Sequence, residues 1–160
     1  MAVSDIETSA QAFLQDLTPE QVSQLTGAAT TEKFDAGQRI FRAGEPAKRF
    51  FLIAQGLVGL EMFLSERGPV MIDKLVAGDS LGWSWLFPPF RWHFDAVALE
   101  PVRLIAFDAR RIRELCETNH ETGYKLLYRV AGIMVQRIQR TRLQLLDVCA
   151  APSDSKDRWI

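Results

Sequence analysis

The sequence predicts a mainly β chain with flanking helices: a barrel or jelly roll of about eight strands, short helices before it and a long helix after it. Three observations predict this class. Between Thr31 and Phe107, turn signals recur roughly every ten residues, at Asp35-Ala36-Gly37, Ala43-Gly44-Glu45-Pro46, Gln55-Gly56, Glu66-Arg67-Gly68 and Ala77-Gly78-Asp79. Short apolar or alternating runs fill the gaps, and helical periodicity is absent across the stretch. On both sides of it, spacings of three and four return.

The N-terminal segment, residues 9–27, reads as short helices. Thr18-Pro19-Glu20-Gln21 combines an N-cap threonine, a proline in the first turn and a glutamine placed to close a capping box. Phe13, Leu14, Leu17, Val22 and Leu25 form an apolar stripe, and Gly27 is a stop. The barrel, residues 31–107, takes its strands from Arg39–Phe41, Phe50–Ile53, Leu57–Phe63, Val70–Val76, Ala96–Leu99 and Val102–Phe107.

Asp108 is a good N-cap for the helices of residues 109–148, which Asn119-His120 and Gly123 break into a short one and a long one. In the long one Tyr124, Leu127, Ala131, Met134, Ile138, Thr141 and Leu145 alternate spacings of three and four, the pattern of a coiled-coil seam. Leu126, Val130 and Ile133 make a second stripe. Two apolar faces predict two surfaces to cover, the chain's own barrel and the same helix of a second copy, hence a homodimer. A single wide core face on a monomer is the competing reading. At ~1.5 Å per residue the helix overhangs a small barrel, which favours the dimer. Residues 1–148 thus form one domain, and residues 149–160 read as a short, mobile tail.

Composition narrows the function. A net charge of −1 provides no long-range field for nucleic acid or an anionic membrane. The two cysteines, Cys116 and Cys149, have no C-x-x-C spacing and suit a reducing cytosol. No apolar run reaches the roughly 20 residues that span a bilayer, and the N-terminus lacks a signal-peptide pattern. His93 and His120 stand far apart without ligand-spaced partners, so no metal site is expected. No motif marks an activated nucleophile, so an enzyme is not expected either. The expectation is a cytoplasmic, non-catalytic protein.

The segment Gly78-Asp79-Ser80-Leu81-Gly82-Trp83-Ser84-Trp85-Leu86-Phe87-Pro88-Pro89-Phe90-Arg91-Trp92-His93-Phe94 carries the functional question. Glycine permits close approach of backbone to a ligand, and arginine pairs with phosphate. Yet between Asp79 and Asp95 there is no carboxylate, while rings abound. Trp83, Trp85 and Phe87, then Phe90, Trp92 and Phe94, alternate about Pro88-Pro89, the pattern of extended segments packing one face into the core. A box of rings stacking on a flat ligand is the alternative.

Three segments, in this order and spacing, carry a resemblance. They are Phe34-Asp35-Ala36-Gly37-Gln38-Arg39-Ile40-Phe41-Arg42-Ala43-Gly44-Glu45, then Phe51-Leu52-Ile53-Ala54-Gln55-Gly56-Leu57-Val58, and the helix ending Leu146-Asp147-Val148. From Phe13 to Val148 the chain resembles the cyclic-nucleotide-binding sensor half of the catabolite-activator family of bacterial regulators. The resemblance implies a cassette in which a glycine, a glutamate on the ribose hydroxyl and an arginine on the cyclic phosphate hold the ligand. Aligned on Leu81-Gly82, the glutamate position falls on Trp83. Counted back from Val97-Ala98-Leu99-Glu100, the arginine position falls near Arg91 or Trp92. The base-capping position on the long helix falls near Gln136 and Arg137.

The candidate ligand-binding residues are therefore Leu81, Gly82, Trp83, Ser84, Arg91, Gln136 and Arg137, with the Leu81-Gly82-Trp83 amides as donors. Two readings stay open for Arg91: a phosphate partner, or a solvated side chain paired with Asp95. Gln136 likewise either bonds a base edge or faces solvent, and Arg137, Arg140 and Arg142 read as a solvated face of the helix. The ligand implied is a cyclic nucleotide or another anionic small molecule, with conventional cyclic AMP binding disfavoured by the missing carboxylate. The resulting expectation is a stand-alone dimeric sensor acting on an unknown protein partner. The alternatives are an interaction module whose pocket is closed by its own rings, and a truncated transcription regulator. Residues 149–160 are too few for the helix-turn-helix of these regulators, so direct DNA binding is not expected unless the chain is a fragment.

Overall fold

The computed structural model describes residues 10–27 and 29–150, and the chain divides into two compact units at Leu126/Leu127. The expected helical start at residue 9 and the tail from residue 151 lie outside the described residues. The first unit runs α1 (Gln11–Leu14), α2 (Pro19–Thr26), β1 (Thr30–Phe34), β2 (Arg39–Phe41), β3 (Arg49–Gln55), β4 (Val58–Leu64), β5 (Gly68–Leu75), β6 (Asp95–Ala98), β7 (Val102–Asp108) and α3 (Ala109–Thr118). Helix α4 (His120–Ala150) starts in this unit and supplies the described part of the second. No helix among the described residues is long and apolar enough to cross a membrane.

The strands form two antiparallel sheets, β1-β7-β3 and β2-β6-β4-β5. In the first, Phe50, Phe51, Leu52 and Ile53 of β3 are all buried, as are Leu104, Ile105, Ala106 and Phe107 of β7. Successive strand residues face opposite sides, so continuous burial means that both faces of this sheet are covered. One side carries the helices: Phe13 of α1 lies 4.7 Å from the Phe50 ring, and α3 rests on β3 and β7. The other faces the second sheet across the barrel interior, where Phe51 meets Phe41 of β2. Strand β1 escapes the apolar-run reading because Thr30–Phe34 is mostly polar. It is an edge strand held by main-chain pairing to β7.

The capping signals fold as the sequence predicts. Both arms of the Thr18–Gln21 box form, and the Asp108 carboxylate accepts the Arg111 amide at 3.0 Å. Asn119 ends α3 with its amide on Leu115, while its side-chain oxygen accepts the Thr122 amide of α4 at 3.1 Å. Gly123 does not break α4. It sits in the helix because α3 passes so close that a Cβ there would lie 2.8 Å from the Cys116 carbonyl oxygen and 3.1 Å from its Cα. Burial, and secondarily the Glu117 charge, push the Cys116 thiol pKa up, keeping it protonated at the elbow.

Along α4, Tyr124, Leu127, Ala131, Ile138, Thr141 and Leu145 of the predicted seam are exposed in the single chain and Met134 is half-buried. Leu126 and Val130 of the second stripe are buried. Arg137 continues that stripe at a spacing of four from Ile133, which explains why it is buried rather than solvated as the sequence suggested. Arg140 is half-buried and Arg142 exposed.

Replacing Gly123 by alanine sets two effects against each other. Helix propensity favours alanine by about 1 kcal/mol, but a Cβ against backbone atoms at these distances forces the helices apart, at a cost of about 1–3 kcal/mol. The clash wins, because a carbonyl oxygen and a Cα cannot rotate away. The expected outcome for Gly123→Ala is a lower Tm in a thermal melt; a raised Tm would show that the elbow yields freely.

Candidate functional site

The segment from Gly78 to Phe94 enters alongside β3 as a short added edge of the first sheet. The Gly78 amide donates to Ile53 O at 2.8 Å, Ile53 N to Asp79 O at 2.9 Å, and Leu81 N to Phe51 O at 3.0 Å. An isolated bridge joins Leu52 to Ser80. The chain then turns, with Leu86 N on Trp83 O and Phe90 N on Phe87 O, about a cis Pro88–Pro89 bond. The returning arm is knitted to the β2–β3 connection: Gly44 N donates to Trp92 O at 2.7 Å, Trp92 N to Glu45 O at 3.0 Å, and Ala47 N to Phe90 O at 2.7 Å.

This path corrects the expectation of extended arms with rings on one face. Trp85 and Trp92 are buried, Trp83, Phe90 and Phe94 half-buried, and Phe87 exposed. The buried tryptophans also part company. Trp85 packs 4.9 Å from Phe50, in a cluster with Phe13 and Phe107 on the helical side of β3. Trp92 stacks on Phe41 at 3.9 Å and 10°, with Phe51 at 6.3 Å, in the barrel interior. Turn chemistry overrode the period-two pattern, so the cassette straddles β3.

Gly82, at φ 64°, closes the inner stack: a Cβ there would sit 3.3 Å from Trp92 Cζ3. Leu81 is buried and its amide is engaged by β3. Trp83 is half-buried beside it. Buried Ser84 places its hydroxyl 3.0 Å from His93 Nδ1, tying the outgoing arm to the returning one. Arg91 is exposed and donates to Gly44 O at 2.7 Å. Its supposed partner Asp95 is engaged instead by Arg39 and by the Ala43 amide at 2.7 Å, so the pairing of Arg91 with Asp95 is corrected. Gln136, exposed, and Arg137, buried, belong to the second unit.

Two participants escaped the sequence reading. Phe41, from a three-residue strand, supplies the ring on which Trp92 lies. Arg113, half-buried on α3, donates to Trp85 O at 2.5 Å and holds its guanidinium 4.4 Å over the Phe90 ring. No motif or spacing singles it out in the sequence, so only its tertiary setting distinguishes it.

Comparison with known proteins gives these features a context. The family profile of the cyclic nucleotide-binding domain matches residues 31–119. Among curated proteins, a glutaminase 2 of Bradyrhizobium diazoefficiens is 26% identical over 80% of this chain and 20% of its own length. A CRP-like cAMP-activated global transcriptional regulator of Mycobacterium tuberculosis is 23% identical over 85% of this chain and 59% of its own. The chain thus spans less than two thirds of either relative. Among solved structures, a cyclic nucleotide-binding protein of Geobacter metallireducens aligns at a TM-score of 0.74 and 27% identity, over 86% of this chain and 98% of that one. The Thermus thermophilus catabolite activator protein shares the fold at 0.67 and 21% identity, over 86% and 63% of the two chains.

The geometry predicts unequal roles for adjacent residues. Trp92→Ala empties a stacked interior position and is expected to cost about 3–5 kcal/mol. Arg91→Ala removes an exposed hydrogen bond that water replaces, at a cost of about 0.5 kcal/mol or less. Chemical denaturation of both variants checks the contrast; a comparable loss at Arg91 would mean that its bond to Gly44 secures the returning arm.

Proposed function

Because the chain belongs to the cyclic nucleotide-binding domain family, we propose that it is a cytoplasmic, dimeric regulatory domain, residues 1–148, whose ligand chemistry departs from that of a cyclic AMP sensor. The observation that carries this reading is Trp92, buried in the barrel interior with its ring stacked on Phe41 at 3.9 Å. The resemblance assigns the ribose-binding carboxylate to the position of Trp83 and the phosphate-binding arginine to Arg91 or Trp92. Here the first is a ring, and of the other two the buried one is a ring and the cation is exposed on Gly44 O. Loss of a charged acceptor for a ribose hydroxyl costs roughly 1.5–3 kcal/mol, tenfold or more in affinity.

Gly82, Trp83, Ser84 and Arg91 remain the residues that would meet an anionic small molecule, whereas Leu81 is buried with its amide given to Phe51 O. In this reading the ligand alters the pairing of two α4 helices, and an unidentified protein partner reads the change. Exposure of the seam supports the pairing, since Leu127, Ile138 and Leu145 present apolar side chains to water in the single chain. Neither catalysis nor direct DNA contact is proposed for these residues.

The packing of Gly82, Trp92 and Phe41 favours a second reading, an interaction module whose pocket is closed by its own rings. A thermal-shift panel of cyclic mononucleotides and dinucleotides separates the two. A bound ligand at ~100 times its Kd stabilises by ~2.7 kcal/mol, while a closed pocket responds to none. Trp83→Glu extends the test: acquired binding of a cyclic nucleotide means the pocket persists with altered chemistry.

Two outcomes are expected. Calorimetry with cyclic AMP should give a Kd above roughly 100 μM, the range left after losing the ribose acceptor. A low-micromolar constant would overturn the non-conventional reading. Light scattering at micromolar concentration should give a dimer, and Ile138→Glu, which buries like charges across a two-fold axis, should give monomers. A monomeric unmodified chain would refute the dimer.

A further inference from the structure

We propose that the cleft between α2 and α3 is a second ligand site, which takes a small aromatic carboxylate and shares no residue with the cassette. The inference goes beyond the regulatory reading and needs no ligand at the cassette.

The cleft has a volume of about 250 Å³. Its apolar lining comes from three elements: Leu25 of α2, Phe107 near the end of β7, and Ile112 and Leu115 of α3. Helical spacing explains the α3 wall. Asp108, Arg111, Ile112 and Leu115 stand at i, i+3, i+4 and i+7, so they share one face at the start of that helix. Leu25, Phe107 and Ile112 are buried, which makes the floor part of the core and fixes its shape. An apolar cavity of about 150 Å³ holds benzene. The space here therefore suits one six-membered ring with a short arm of about three or four further atoms.

Charge selects the arm. Three arginines lie in the first turns of α3, and their side chains diverge. Arg110 pairs with Glu114 at 2.8 Å, and Arg113 donates to the Trp85 carbonyl. Arg111 lies about 200° round the helix from Arg113, on the cleft side. Among the described residues its guanidinium has no hydrogen-bond or ion-pair partner.

The two carboxylates at the mouth are already engaged. Asp108 accepts the Arg111 amide at 3.0 Å, where the positive end of the helix dipole offsets its charge, and Glu114 is held by Arg110. An entering carboxylate thus meets an unpaired guanidinium, whereas an ammonium meets only carboxylates that have partners. Gln24, on the α2 wall, adds an uncharged donor and acceptor. The ligand that fits places its ring on the apolar floor and its carboxylate on Arg111.

Amide-resolved NMR on the whole chain tests this with four probes: phenylacetate, its neutral analogue phenylacetamide, the cation phenethylamine, and acetate, which lacks the ring. Phenylacetate is expected to shift the amides of residues 24–26 and 107–115 saturably, with a Kd of about 1 mM for a ligand of about ten non-hydrogen atoms. Phenylacetamide should bind there about fivefold to tenfold more weakly, and phenethylamine and acetate should not saturate below about 20 mM. Arg111→Gln keeps the backbone bond to Asp108 and changes only an exposed side chain, so the fold is retained. It should bring phenylacetate down to the affinity of phenylacetamide and leave phenylacetamide unchanged. Full affinity for phenylacetate in that variant would overturn the proposal. So would equal binding of the acid and the amide, saturation of the cleft by phenethylamine, no saturation by phenylacetate, or phenylacetate shifts confined to residues 80–94. The amides of residues 80–94 report the cassette separately in the same spectra, so the failure of either site is distinguishable from that of the other.

Discussion

The arrangement depends on one pair of neighbours, Phe50 and Phe51, buried on opposite faces of β3. A strand covered on one side would need only one of them. Burying both requires helices on one face and a second sheet on the other, and the chain supplies α1 and α3 for the first and β2 for the second. Each ring then becomes an anchor. Phe13, Phe107 and Trp85 gather on Phe50, and Phe41 and Trp92 near Phe51. The cassette has no regular secondary structure of its own across its rings, and its shape is set by these two anchors.

The fold was largely legible because its signals are local. Thr18 with Gln21, Asp108, and the turns around Gly37, Gly44 and Gly56 each satisfy nearby backbone groups or release a steric constraint, and a sequence displays such chemistry directly. β1 was not visible as a strand because main-chain pairing to β7, rather than apolar side chains, holds it. Gly123 misled for the opposite reason. A glycine inside a helix reads as a break, whereas here it makes room for the Cys116 backbone, a neighbour seen only in three dimensions.

The candidate site was legible in composition but not in arrangement. The wealth of rings around Pro88-Pro89 was plain, yet alternation predicted one buried face where the structure divides them between two. Tertiary hydrogen bonds to Phe51, Glu45 and Gly44 decide where the arms run, and none of them has a short-range signature. The same holds for Asp95. Its nearest arginine in sequence is Arg91, but β2–β6 pairing brings Arg39 to it, leaving Arg91 to the Gly44 carbonyl.

In the proposed reading, stacked rings stand where the resemblance implies ionic contacts, and that would change what the domain can sense. A buried carboxylate or arginine without its ligand is costly, so a pocket built from them is destabilised when empty and stabilised when filled. A tryptophan stacked on Phe41 is already satisfied. An occupant of that space must displace a ring that packs well, which sets a threshold on affinity and favours ligands that offer a flat apolar face in return. Trp92 is buried and Arg91, one residue away, is exposed, so in the proposed reading the apolar contribution would lie inside and the charge at the rim. In the proposed reading, a molecule suited to this geometry would carry its ring inward and its charge outward, the reverse of one recognised first through a buried phosphate.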